Sequence, residues 1–188
     1  MNESDLRIVK TRRAIEDALI RLLGCKSFEK ITVGDILSEA LINRTTFYRH
    51  YTDKYALAEH LCAVWLSAFQ TAVDSRFQAG DHQTAAASIE QFYQIFFEHR
   101  ESLLRLFTIR TETIHLYDDM AACLKSRFQA AYHNAISDTI RLDYLSELYS
   151  SLVLTSVKWC LEHEGYQGLL PLFPIFQSCL TTLLNDIQ

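Results

Sequence analysis

Between Asp53 and Gly80 the chain carries Leu57, Leu61, Val64, Trp65, Ala68, Phe69, Ala72, Val73 and Phe77, with no glycine or proline among the intervening residues. Apolar residues three and four positions apart line one face of an α-helix and fall on both faces of a strand, so the stretch predicts a helix of about seven turns. The same period recurs elsewhere. Only five glycines and two prolines interrupt 188 residues, of which 49% are apolar, and this composition predicts an all-α protein.

Upstream, Ile15, Ala18, Leu19, Leu22 and Leu23 share one helical face, and Gly24 stands where a C-terminal cap is expected. Phe28 and Ile31 in the connector are expected to plug the core. Thr32 followed by Asp35 resembles a capping box opening a short helix with Val33, Ile36, Leu37 and Ala40. Asn43 is the expected N-cap of a second short helix, RTTFYRH, with Phe47 on its inner side, and Thr52 or Asp53 caps the long helix. Further helices are expected near 83–98, 101–109, 112–135, 143–163 and 171–187, the last with Pro171 or Pro174 in its first turn.

The net charge of −5 is unevenly spread. Residues 1–60 hold ten Lys/Arg against nine Asp/Glu, whereas residues 61–188 hold eight against fourteen. A slightly basic head on an acidic body is the asymmetry expected of a nucleic-acid reader. No apolar run reaches the roughly 20 residues that span a bilayer, and the start MNESDLRIVK lacks a signal-peptide core, so a cytoplasmic location is expected. Cys25, Cys62, Cys123, Cys160 and Cys179 are widely separated and odd in number, which favours buried thiols over disulfides or zinc ligation. His115 beside Glu112, and His163 between Glu162 and Glu164, do not gather three metal ligands, so surface or capping roles are expected for them and no metal or cofactor.

Two short helices joined by a tight turn, the second rich in Arg, Thr, Tyr and His, form the pattern of a helix-turn-helix. Ile36, Ala40, Ile42 and Phe47 are its inner residues, and Asn43, Arg44, Thr45, Thr46, Tyr48, Arg49 and His50 are able to bond bases or phosphates. The run TVGDILSEALINRTTFYRHYTDKYAL from Thr32 to Leu57 resembles the DNA-binding head of the tetracycline-repressor (TetR) family of bacterial regulators. With the preceding helix and Phe28, the resemblance covers about 50 residues, and beyond residue 60 it extends only to helix pattern and length. It implies that Thr32, Tyr48, His50 and Lys54 meet phosphates, that Asn43, Arg44, Thr45 and Arg49 read base edges, and that Arg7, Lys10, Arg12 and Arg13 follow the backbone or minor groove. Two residues depart from the pattern: Leu41 replaces the usual turn glycine, at a cost of roughly 1 kcal/mol if left-handed, and Thr45 replaces a glycine of the recognition helix.

The expected architecture is therefore a three-helix head, residues 1–52, joined by a long helix to an antiparallel helical sensing and dimerisation body, residues 53–188. An apolar or aromatic effector would be enclosed by Trp65, Phe69, Phe92, Phe96, Phe107, Tyr117, Met120, Phe128 and Trp159. Segment 143–163 carries one stripe of Leu145, Leu148, Leu152 and Trp159 and a second of Leu154, Val157 and Leu161. The second stripe, with Leu180 and Leu184, is the expected homodimer interface. No nucleophile motif, phosphate loop or catalytic carboxylate pair points to an enzyme. The expected function is a repressor that binds a palindromic double-stranded operator as a homodimer and is released by an effector. The alternative is a helical adaptor acting through protein contacts alone.

Overall fold

The structure is a computed structural model that describes residues 3–78 and 94–163. All regular structure among the described residues is helical. In chain order the elements are α1 (Glu3–Leu23), a 3₁₀ turn (Phe28–Lys30), α2 (Val33–Ala40), α3 (Arg44–Tyr48), α4 (Lys54–Gln78), α5 (Arg100–Leu106), α6 (Leu116–Tyr132) and α7 (Thr139–Glu162). Residues 94–98 are also helical. The segment expected at 171–187, and most of that at 83–98, lie outside the described residues.

The chain packs as two compact units. One comprises Met1–Gln70 with Glu101–Cys123, the other Thr71–Arg100 with Leu124–Gln188. In the first, α1 buries Ile15, Ala18, Leu19 and Leu23, and the connector adds Phe28 and Ile31. The two short helices contribute Ile36 and Phe47, and α4 contributes Leu57 and Ala58. Leu103 and Leu106 of α5 are fully buried in the same unit. Arg105 donates from Nη1 to the carbonyl of Ile20 at 3.1 Å, satisfying an acceptor in the last turn of α1. A Cβ on Gly24 would lie 2.9 Å from the Arg105 Cζ, so glycine lets the guanidinium lie against the backbone that leaves α1.

The second unit is centred on Phe128, Ile136 and Leu145, with Phe77, Tyr132, Leu142 and Tyr149 packed around them. Phe128 lies 4.6 Å from Tyr132 and 5.0 Å from Tyr149, centroid to centroid. Lys125 reaches Asp143 at 2.9 Å and Glu147 at 3.1 Å, and Gln129 bonds Asp143 and Ser146, so this part of α6 runs antiparallel to α7. α7 begins four residues before the expected 143. Asp138 caps it by accepting from the N–H groups of Ile140 and Arg141.

The buried face of α7 corrects the expected dimer stripe. Leu154, Val157 and Leu161 are 1–2% exposed within a single chain, in phase with the buried Ser146 and Ser150. They are core residues and offer no surface to a partner. The apolar residues that α7 leaves exposed are Ile140, Tyr144, Leu148 and Trp159. Leu180 and Leu184 lie outside the described residues.

Candidate nucleic-acid interface

The turn between α2 and α3 is built from local rules. Thr32 accepts from the backbone N–H of Asp35 at 3.1 Å, and Asp35 Oδ2 accepts from the backbone N–H of Thr32 at 2.8 Å, completing the expected capping box. The Thr32 hydroxyl also donates to Asp35, at 2.8 Å. Lys26 lies 2.8 Å from the same carboxylate. The Lys26 ammonium, with the backbone and hydroxyl bonds from Thr32, holds the Asp35 carboxyl at about 2. Leu41 ends α2 at φ 54 and ψ 44, the left-handed conformation anticipated for the replaced glycine, and its side chain is 91% exposed.

Asn43 then caps α3 by accepting from Thr46 N–H at 2.8 Å. The five-residue helix is anchored by one side chain, Phe47, which is fully buried and meets Tyr48 edge-on at 5.5 Å. Because Phe47 points inward, Asn43, Arg44, Thr45, Tyr48 and Arg49 stand exposed, with Thr46 and His50 half-buried beside them. Thr32 is exposed at the start of α2. Arg7, Lys10, Arg12 and Arg13 are exposed on α1, where Arg12 lies 3.7 Å from Glu16.

Lys54 is placed differently from the other expected phosphate ligands. Its ammonium donates to the carbonyls of Phe28 at 2.8 Å, Glu29 at 3.0 Å and Ile31 at 2.8 Å. It also lies 4.8 Å from the Phe28 ring centroid and 5.3 Å from that of Tyr55. Burial lowers its pKa and Glu29 opposes that shift.

The sequence reading missed the lock behind α3. Tyr51 donates to Glu16 Oε1 at 2.8 Å, and His60 Nε2 lies 3.4 Å from that oxygen. Tyr51 follows Phe47 by four residues, and this spacing was the available signal that it faces inward.

The expected effector residues are divided between the two units. Phe69, Phe107 and Met120 are buried in the first, where Trp65 and Tyr117 are half-buried and Phe107 meets Tyr117 edge-on at 5.3 Å. Phe96 and Phe128 are buried in the second. Trp159, in the second unit, is 44% exposed and stacks on His163 at 4.1 Å. Phe92 lies outside the described residues.

A short helix held by one buried aromatic, capped by Asn43, and presenting two arginines, two threonines and a tyrosine beside a capped partner helix, defines a helix-turn-helix head. Residues 15–61, from the middle of α1 into α4, match the family described as bacterial regulatory proteins, tetR family. The similarity to that family covers this head alone and does not extend into the rest of the chain. The chain is also 34% identical over 90 residues to YxbF of Bacillus subtilis (strain 168), an uncharacterized HTH-type transcriptional regulator. That match covers 47% of this chain and 21% of the relative.

Proposed function

We propose that the protein is a transcription regulator, acting in the cytoplasm, that reads a palindromic duplex operator as a homodimer. The observation that carries this reading is α3: Phe47 is fully buried while Arg44, Thr45, Tyr48 and Arg49 are exposed. A helix so oriented has its polar side available to a major groove. In this reading Arg44, Arg49, Asn43 and Thr45 meet base edges, while Thr46, Tyr48, His50 and the Thr32 end of α2 meet the backbone.

Dimerisation is assigned to the exposed apolar residues of α7, Ile140, Tyr144, Leu148 and Trp159. Repression and release by an apolar or aromatic effector complete the proposal. The unbroken α4, which supplies residues to both units, supports such a switch. A hundredfold loss of operator affinity requires the effector to prefer the DNA-incompetent state by about 2.7 kcal/mol. The functional division into a head, 1–52, and a sensing body, 53–188, belongs to the same proposal.

Selection from random duplex DNA with purified protein tests the reading. Enrichment of inverted repeats with a fixed half-site spacing is expected. Recovery of no sequence, or of single half-sites alone, overturns it and moves the adaptor function forward.

A further inference from the structure

We propose that Lys54 is a positioning residue that clamps the 3₁₀ turn to the start of α4, thereby orienting the N-terminus of α2, and that it is not a phosphate ligand. This rests on the DNA-reading function proposed above. An ammonium has three protons and accepts nothing. In Lys54 those protons are directed to the carbonyls of Phe28, Glu29 and Ile31, acceptors that close the turn just before α2. The aromatic faces of Phe28 and Tyr55 flank the same charge.

One peptide group explains how the clamp reaches the DNA-facing end. The carbonyl of Ile31 accepts from Lys54 at 2.8 Å, and the N–H of Thr32, in the same planar unit, donates to Asp35 at 2.8 Å. That plane is held from both sides, one hold belonging to α4 and the other to α2. Its orientation fixes where Thr32 and the first turn of α2 point. A phosphate drawing the ammonium away would leave one of these carbonyls without its partner and release the plane. A planar guanidinium has a different donor geometry and cannot direct three protons from one atom toward three carbonyls.

The test compares wild type, Lys54→Met and Lys54→Arg on the selected operator, well below their melting temperatures and across a range of salt. Both variants are expected to bind at least tenfold more weakly, with the slope of log affinity against log salt unchanged. A phosphate ligand predicts instead that Lys54→Arg retains affinity and that Lys54→Met reduces the slope by about 0.9. That result overturns the proposal, and so does a variant that melts lower yet binds the operator as wild type does. Acetylation of the wild-type protein by a succinimidyl ester adds a readout independent of variant folding. Lys54 is expected to react much more slowly than the exposed Lys10 and Lys30, equally with and without DNA. Reaction at the Lys30 rate in the free protein overturns the clamp. If wild type selects no DNA, the DNA-reading function fails, while the acetylation rates still decide whether the clamp exists.

Discussion

Leu41 sits at φ 54 with its side chain 91% exposed, so its left-handed backbone costs energy while its side chain buries almost nothing. Removing the Cβ relieves the backbone strain, roughly 1–2 kcal/mol, and glycine's greater unfolded-state entropy offsets part of that gain. Leu41→Gly is expected to raise the denaturant midpoint by a net of roughly 0.5–1 kcal/mol without changing the m-value. A lower midpoint would mean that the leucine makes a contact its exposure does not reveal. Asp35 gives a second prediction. Its carboxyl falls from 3.8 to about 2 on folding, so its contribution is fully present above about 3.8 and disappears as pH falls toward 2. Denaturant unfolding at pH 5 and pH 3 is expected to show a smaller acid loss for Asp35→Asn than for wild type. An equal loss would assign the acid limb to other carboxylates. Thr32 with Asp35, Asn43 and Leu41 were legible in the sequence because each acts within four residues. Lys54 was not, since its partners lie 23 to 26 residues away and no local spacing announces them.

The face of α7 shows why period alone misassigned an element. Its buried side includes two serines, Ser146 and Ser150, which the apolar pattern counts as polar. Their hydroxyls donate to the carbonyls of Asp143 at 2.7 Å and Glu147 at 3.0 Å, so burying them leaves no donor unpaired. Once they are counted inward, Leu154, Val157 and Leu161 continue the same face, and Leu148 and Trp159 rotate outward. Leu154→Ala is accordingly expected to cost roughly 2–5 kcal/mol of folding stability, as a large-to-small change in a core does. Tyr144 is 66% exposed, and Tyr144→Glu is expected to leave a fold of wild-type secondary structure while shifting sedimentation toward monomer at micromolar concentration. A neutral Leu154→Ala would return that residue to the surface. An unshifted Tyr144→Glu dimer would place the interface elsewhere.

At the scale of the whole molecule, the helical class and the long α4 were readable from scarce glycine and proline and an unbroken period. The packing of Glu101–Cys123 with Met1–Gln70 was not readable, because a scan for boundaries follows the chain and cannot register a segment that returns. The return is substantial: Leu103 and Leu106 are fully buried, Arg105 bonds the Ile20 carbonyl, and Thr113 donates to Glu59 at 3.2 Å. A helical segment of some 70 residues is marginal in any case, since small domains bury a limited fraction of their surface. A fragment ending at Gln70 is therefore expected to melt well below the corresponding transition of the full chain and with less cooperativity. In the full chain, Arg105→Met should move that transition in the same direction by a smaller amount. Thermal melts followed by circular dichroism make the comparison. A fragment that melts as sharply and at the same temperature as this part of the full chain would show that Glu101–Cys123 contributes nothing to it, and would remove a direct physical route by which events in α5 reach α2 and α3 through α1.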